Sequence, residues 1–378
     1  MIGANVVAAS ECIIDNPNSK RKATSRIVSM EVVMPRFILA EFNTHRMFSR
    51  NSASSRAIPH KKTSKLVSDN PFLPMAWQKE HSGMQGTEYL EERQCIAAEG
   101  MWKIASASAV DHAGKLTNPL YGIEATKQLA NRLLEPFMWH KVLVTSTDWD
   151  NFFELRCPQY EMKLTQDTME SLNYYKSKQE YLEVYNHLKK ENRNKGVVIV
   201  GSDPNNWTDL QWLQINKGMS EIHMMALAEA MYVAYRTANF KQINQGEYHI
   251  PYGDNIDDRE LLKAMYEGQD IDPASVIGAE LTAGRVAVAI ARCARLSYQT
   301  LGDEPKIDYV ADLDLYRRLV QSGHMSPSEH VARAMDEREY WSYGKTIMYD
   351  KRPKQLFGYL NNFQGFIQQR ILIENIYE

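Results

Sequence analysis

The alternation of apolar and polar positions divides the chain into strands and helices in mixed order. Short β-branched runs between turn residues are typical of strands, and apolar residues recurring every three or four positions are typical of helices. Strands are predicted at 27–34, 142–146 and 196–203. Helices are predicted at 36–48, 88–116, 122–134, 149–155, 175–192, 221–236, 282–297 and 309–322, and a long surface loop at 57–85.

The composition is that of a globular protein with a sizeable core. The 378 residues are 44% apolar and 24% charged, which is enough for one large domain or two ordinary ones. A net charge of −3 argues against a protein that coats nucleic acid. The four cysteines are scattered, so neither a zinc site nor a disulfide framework is indicated, and a reduced intracellular setting is expected. No signal peptide or apolar run of membrane-spanning length is evident.

Residues 41–56 are the densest group of chemically useful side chains in the chain. They contain His45, three arginines (Arg46, Arg50 and Arg56) and several serine and asparagine side chains. Guanidinium groups match phosphate oxygens and serine supplies short hydrogen bonds, so the stretch indicates a phosphate-binding site. The alternative is a solvated, charged helix end.

Three further clusters could contribute to the same site. Arg132 is predicted in the last turn of a helix, where it could bind a ligand or oppose the helix dipole. Arg156 follows an apolar segment and needs an anionic or carbonyl partner, while Cys157 beside it lacks the paired histidine of a nucleophile. Ser326 and Glu329 fit a capping box, and a helix start also binds phosphate. If these clusters converge, several phosphate groups, and hence nucleotides, are implied.

Together the clusters resemble the flavin-dependent thymidylate synthase family. The family hallmark, Arg-His-Arg followed by seven residues and Ser, occurs as Thr44-His45-Arg46 with Ser54. Three further family segments also occur: Asn-x-x-x-x-Arg at 151–156, Ala-Arg-Val-Ser at 294–297 and Ser/Thr-Pro-Phe-Glu-His at 326–330. The likeness extends to 246–251 and 362–370, which are features of a longer branch of the family that is common in phage genomes.

The resemblance implies a mixed α/β (α+β) fold with a mostly antiparallel sheet flanked by helices. It implies one catalytic domain over 1–378 with an inserted segment at 158–212. The activity implied is C5 methylation of dUMP to dTMP, with methylenetetrahydrofolate as one-carbon donor and NADPH as reductant through FAD. The expected assembly is a homotetramer with shared active sites in a bacterial cytoplasm, or in the host cytoplasm if phage-encoded. No metal, nucleic acid or membrane partner is expected.

The resemblance also assigns residues to ligands. The set expected to face FAD is His45, Arg46, Asn151, Ser297, Ser326 and Glu329. The set expected to face dUMP is Glu41, Ser54, Ser55, Arg56, Arg132 and Arg156, with Arg56 and Arg132 at the phosphate. Arg156 is also the expected catalytic residue, holding the uracil carbonyl side and favouring the enolate-like form.

Four departures from the family pattern leave alternatives open. Thr44 replaces the first arginine of the hallmark, Ser52 stands where Glu is frequent, and Glu41 stands where Gln is common. Residues 217–222, which follow the inserted segment, carry Met219 in place of Gln. The substrate could therefore be dCMP, the product a hydroxymethyl nucleotide, or the chain a non-catalytic homologue that binds nucleotide or flavin. A nucleic-acid-binding accessory protein is opposed by the net charge.

Overall fold

A computed structural model gives the fold of the chain. It describes residues 1–16, 22–54, 56–82, 86–166, 169–191, 197–199, 202–267, 272, 276, 278–298, 307–349 and 352–377. Within them, helices flank mainly antiparallel sheets, which confirms the predicted α+β class. No helix in these ranges has the length and apolar character needed to cross a membrane.

The bounds of the elements are as follows. The strands are β1 (Gly3–Asp15), β2 (Lys22–Pro35), β3 (Ser49–Ser52), β4 (Trp139–Ser146), β5 (Tyr160–Gln166), β6 (Met169–Tyr175), β7 (Val197–Ile199), β8 (Lys241–Gln242), β9 (Tyr248–His249), β10 (Ala332–Ala334), β11 (Gly344–Tyr349), β12 (Arg352–Phe357), β13 (Tyr359–Leu360), β14 (Phe363–Gln364) and β15 (Phe366–Gln368). The α-helices are α1 (Leu39–Phe42), α2 (His60–Asp69), α3 (Glu92–Leu116), α4 (Lys127–Ala130), α5 (Asp150–Arg156), α6 (Lys178–Glu191), α7 (Asp209–Ile215), α8 (Ile222–Arg236), α9 (Asp258–Met265), α10 (Gly278–Arg295), α11 (Tyr309–Gln321), α12 (Glu337–Ser342) and α13 (Gln369–Tyr377).

The central sheet has the strand order β3-β4-β2-β1-β8. All neighbours are antiparallel except β1 and β8. The predicted strands at 27–34 and 142–146 are confirmed within β2 and β4, whereas the long β1 was not predicted. Of the strand predicted at 196–203, the part at 196 and 200–201 lies outside the described residues, and β7 covers the described centre.

The predicted helix at 36–48 is wrong. The chain forms a 3₁₀ turn at Arg36–Ile38 and the short α1, turns at 43–48, and enters the sheet as β3. Phe42 and Phe48 lie in the same core cluster with ring centroids 5.7 Å apart. Residues six positions apart would lie about 120° from one another around a continuous helix, so this contact requires the turn.

Two other predictions between the hallmark and β4 are corrected. The stretch 57–85, predicted as a loop, contains α2, whose buried side is Thr63 and Val67, one turn apart. The helix predicted at 122–134 is reduced to the four residues of α4 and a 3₁₀ segment at Asn131–Phe137 that contains Pro136. Proline has no amide hydrogen and cannot continue an α-helical ladder.

One face of the central sheet is apolar and carries the main core. The long helix α8 packs there, as the apolar spacing of the predicted helix at 221–236 required, together with α5 and α1. The buried side chains shared by these elements are Val28, Met30, Val32, Met34, Phe42, Val144, Phe152, Phe153, Met224, Leu227 and Met231. This packing positions the C-terminal end of α5 beside the end of α1.

The opposite face carries a buried row of polar groups. His249 contacts the hydroxyls of Ser10 and Ser29 at 2.9 Å each, Ser29 contacts Thr145 at 2.6 Å, and Thr145 contacts Nδ1 of His330 at 2.8 Å. Burial lowers the pKa of His249 and of His330 to about 3. Both rings are therefore neutral at pH 7, and the row joins β1, β2, β4 and β9 to the segment that precedes His330.

The described residues between 160 and 215 form a lobe of their own beside α8. The strands β6, β5 and β7 make a small sheet, and α6 and α7 pack on it around Tyr160, Met162, Tyr181, Tyr185 and Trp212. The two ends of the lobe meet at a bridge between Tyr160 and Asn216. That this lobe is an insertion into a single domain stays a prediction.

We expect His249→Gln to flatten the dependence of stability on pH. The folded pKa of about 3 lies below the ordinary value of 6.5, so the unfolded chain binds a proton that the folded chain does not. Stability from this group is fully present above pH 6.5 and is lost as the pH falls towards 3. Removing it should lower the slope of the unfolding free energy by about 1.4 kcal/mol per pH unit between about pH 6 and 4. Urea unfolding at several pH values measures the slope.

The control for this experiment is His112→Gln, because the side chain of His112 is 65% exposed. Its slope should equal that of the wild type. Equal slopes for the wild type and His249→Gln would contradict the neutral, buried imidazole.

Candidate functional site

The 43–48 turn is held by donors from distant parts of the chain. Arg50 donates through Nη1 to the carbonyl of His45 at 2.8 Å and to that of Phe42 at 3.3 Å. The carbonyl of Met47 accepts from Ser146 at 3.1 Å and from Asn362 at 3.3 Å. The carbonyls of Phe42 and His45 accept long backbone hydrogen bonds within the turn, at 3.4 and 3.3 Å, and Arg50 adds a charged donor to each. The hallmark side chains are thereby presented on a fixed backbone.

Arg156, the last residue of α5, lies at the centre of a side-chain cluster. Its Nε donates to Nε2 of His45 at 3.1 Å, and its Nη1 donates to the Glu41 carboxylate and, at 3.1 Å, to the hydroxyl of Ser220. Ser220 in turn donates to Glu41 at 3.3 Å. The Arg156 side chain is 24% exposed, and among the described residues nothing accepts from its Nη2. Two directed donors therefore remain for a ligand.

His45 is neutral in this cluster. Burial, followed by the charges of Arg156 and Arg50, lowers its pKa to about 4. Because Nε2 accepts from Arg156, the ring hydrogen is on Nδ1. The ring packs edge-on against Phe152, with centroids 4.7 Å apart.

Ser54 and Ser297 meet next to the free end of β3. The amide of Ser54 donates to the carbonyl of Ser297 at 3.0 Å, and the Ser297 hydroxyl donates to Asn51 at 3.2 Å. Asn51 also donates to the carbonyl of Cys293, at 2.6 Å. These hydrogen bonds attach the segment 294–297 to β3 and to Ser54, and therefore to the stretch 41–56. The predicted partner Ser55 lies outside the described residues.

The predicted capping box at Ser326 and Glu329 is wrong. Ser326 is the first residue of a single 3₁₀ turn, Ser326–Glu329, and the residue before it, Met325, makes no side-chain cap. The Glu329 carboxylate accepts instead from Arg370 at 2.6 Å. The Glu329 carboxylate also lies near Arg50. Burial lowers the pKa of Arg50, and the negative charge of Glu329 opposes that shift. The turn is too short to make a helix N-terminus, but it places both predicted residues beside β3.

Arg132 does not lie in the last turn of a helix, so the helix-dipole interpretation is wrong. It is the second residue of the 3₁₀ segment and donates to Glu135 at 2.9 Å. The preceding residue, Asn131, donates to the carbonyl of Ile58 at 3.2 Å, which joins this segment to the turn after Arg56. The predicted phosphate ligands Arg56 and Arg132 therefore lie on adjoining segments, and both side chains are exposed.

Two of the predicted residues point outward. Arg46 and Asn151 are exposed, and no hydrogen bond of either side chain occurs within the described part of the chain. Thr44, in place of the hallmark arginine, donates to the carbonyl of Glu41 at 2.7 Å and so closes the turn. Cys157 is buried, which raises its pKa well above the ordinary value and disfavours the thiolate of a nucleophile.

Ser220 is the site residue that sequence reasoning missed. The segment 217–222 departs from the family pattern, but no role was predicted for Ser220, whose side chain is buried with 4% exposed. A signal existed in Glu221, whose carboxylate caps α8 by accepting from the amides of His223 and Met224 at 2.8 and 3.0 Å. Because the cap fixes the backbone at Glu221, it also fixes the direction in which the side chain of the preceding residue, Ser220, points. Met219, by contrast, is 77% exposed.

Comparison with known proteins gives little overlap. No family model matches the chain, and no curated protein matches it. A crystal structure of a UMP/dUMP methylase, PolB from Streptomyces cacaoi bound with 5-Br UMP, is similar over 35% of this chain with 15% identity and a TM-score of 0.28. The chain spans about half of the length of that protein, 55%. A likeness of this extent carries no conclusion about function.

Arg50→Met should loosen the 43–48 turn, because two carbonyls lose a charged donor. We expect a loss of about 1.5–3 kcal/mol in unfolding free energy and faster amide hydrogen exchange in the turn. Arg46→Met, the matched control, removes an exposed arginine four positions away and should change neither quantity. Equal exchange in Arg50→Met and the wild type would contradict the bracing role of Arg50.

Proposed function

We propose that this chain is a flavin-dependent thymidylate synthase, which methylates dUMP at C5 with methylenetetrahydrofolate and with NADPH as reductant through FAD. One observation carries the proposal. Segments that are far apart in the sequence are all in contact with 41–56: 151–156 and 217–222 contact its Glu41 and His45 from the apolar face of the central sheet, and 294–297 and 326–330 lie along β3 on the opposite face. Three of them, together with 41–56, are the segments that carry the family resemblance.

Arg156 has the chemistry needed at the pyrimidine. Its Nε and Nη1 are held by His45, Glu41 and Ser220, so the free Nη2 is already oriented before a ligand arrives. A guanidinium aimed at a uracil carbonyl stabilises the negative charge that develops there when C5 becomes nucleophilic. A free carboxylate would repel a nucleotide dianion, but the negative charge of Glu41 is balanced by its pairing with Arg156.

The donor set on the 43–48 turn and along β3 fits a flavin dinucleotide. Neutral His45 offers Nδ1–H, Arg46 offers an exposed cation on the same turn, and Ser326 offers a hydroxyl, while the Ser297 hydroxyl, which donates to Asn51, offers an acceptor. A diphosphate favours fixed arginines, and an aromatic ring system favours a neutral imidazole and apolar neighbours such as Phe152. FAD supplies the hydride chemistry, while these residues bind and orient it. Asn151 and Glu329 complete the proposed set.

The nucleotide phosphate would lie at Arg56 and Arg132. Both side chains are exposed on adjoining segments, and no partner of Arg56 occurs within the described residues. Ser54, two residues before Arg56, accepts the Arg56 amide at 3.3 Å and shapes this turn. A phosphate at this position would satisfy cations that are otherwise held only by solvent and by Glu135.

The proposal includes the homotetramer. The outer side of α3 carries Ile96, Met101 and Ile104, which are 68%, 72% and 72% exposed. Three large apolar side chains exposed on one helix offer a surface that another copy of the chain can cover. Light scattering should give four times the chain mass of 43.5 kDa; a monomer would remove this part of the proposal.

The purified protein should absorb as a flavoprotein and bleach with NADPH. Incubated with methylenetetrahydrofolate, FAD and NADPH, it should convert dUMP to a product that is heavier by one CH₂ group, about 14 Da. Parallel reactions with dCMP separate the two pyrimidines, and a gain of about 30 Da would identify hydroxymethyl transfer. Flavin binding without any product would favour the non-catalytic homologue.

Arg156→Ala should lower turnover by about 10²–10³-fold, because one oriented donor to the developing negative charge is lost. Bound flavin should be retained, since Arg156 is not one of the proposed flavin ligands. Arg317→Ala is the control, as Arg317 is 62% exposed and pairs only with Asp314 within the described residues. Turnover of Arg156→Ala equal to that of this control would remove Arg156 from the mechanism.

A further inference from the structure

One side chain joins the two ends of the 160–215 lobe. Oδ1 of Asn216 accepts from the amide of Gln159 at 2.9 Å and from the amide of Gly218 at 2.8 Å. The amide of Lys217 donates to the carbonyl of Gln159 at 2.9 Å. The chain therefore leaves the core and returns to it through a closed ring of hydrogen bonds, which we call the neck (residues 159 and 216–218).

The neck is packed tightly against the core. A Cβ atom on Gly218 would lie 2.7 Å from the sulfur of Met225, 3.0 Å from Oδ1 of Asn216 and 3.3 Å from the carbonyl of Cys157. Real contacts of this kind are rarely below about 3.4 Å, so no side chain fits here without a shift. Nδ2 of Asn216 lies 3.2 Å from the same sulfur on α8. The backbone at 216–218 thus has little freedom.

The neck lies next to the Arg156 cluster on both of its chains. Gln159 follows Arg156 by three residues, and Ser220 follows Gly218 by two. Ser220 is held on its other side by the cap that Glu221 makes at the start of α8. The Ser220 hydroxyl contacts both Arg156 and Glu41. Its direction is therefore fixed from two sides, by the Glu221 cap at the start of α8 and by Asn216 of the neck.

We propose that Asn216 is a positioning residue, which sets the direction of the Ser220 hydroxyl and through it the Arg156–Glu41 pair in the nucleotide site. This inference rests on the proposed function for its role in ligand binding. The alternative is that Asn216 only stabilises the lobe. The two differ in coupling: a positioning residue acts through Ser220, so its effect disappears once the Ser220 hydroxyl is gone.

The test is a double-mutant cycle read out by the dissociation constant of dUMP in calorimetry. Asn216→Ala and Ser220→Ala should each weaken dUMP binding about tenfold, and the double variant also about tenfold rather than about a hundredfold. Asn216→Asp keeps an acceptor for both amides and should stay within about threefold of the wild type. Asn205→Ala, an exposed asparagine of the same lobe, should leave binding unchanged.

Additive losses in the double variant, or unchanged binding by Asn216→Ala, would overturn the proposal. If the wild type binds no dUMP, it is the proposed function that fails, and hydrogen exchange then tests the neck without any ligand. Asn216→Ala should speed exchange at 153–157 and at 41–46 as well as at 216–222. Faster exchange confined to the lobe and to 216–222 would overturn the inference.

Discussion

The pairing of the Arg156 guanidinium with Glu41 and His45 is the constraint on which the candidate site depends. An arginine that is three-quarters buried must find acceptors, because a charge removed from water without partners is costly. The acceptors come from α1, from the turn that follows it, and from Ser220, two residues before α8. Satisfying this one cation therefore brings together segments that the sequence separates widely.

The arginines of the site divide into two groups with different tasks. Arg50 and Arg156 point inward, where they hold carbonyls and a carboxylate, and their charges add to burial in keeping His45 neutral. Arg46 and Arg56 point outward and have exposed side chains. The inward pair fixes the geometry, with only Nη2 of Arg156 left for a ligand, and the outward pair keeps its donors for an anion. A single dense cluster in the sequence thus serves both the backbone and the proposed ligands.

The two faces of the central sheet support the site in different ways. The apolar face fixes α5 and α8 by packing, which sets the positions of Arg156 and Ser220. The polar face fixes the segment before His330 by a continuous row of hydrogen bonds to four strands. Buried rows of this kind are directional and specify one arrangement, whereas apolar packing tolerates small shifts. The lobe at 160–215 adds a third support where its two ends meet.

The sequence by itself determined the α+β class, the strands around 30 and 144, and the long helices with regular apolar spacing, because these signals are local and periodic. Through the family resemblance it also predicted Glu41, His45 and Arg156 as site residues; the three side chains are in contact, and their roles stay predictions. The path of 36–48, the absence of a cap at Ser326, the partner of Arg132 and the role of Ser220 were decided only by the tertiary structure. Most of these features depend on partners distant in sequence: Ser146 and Asn362 for the turn at 43–48, Arg370 for Glu329 and Arg156 for Ser220. No local pattern records which distant group will satisfy a polar or charged group.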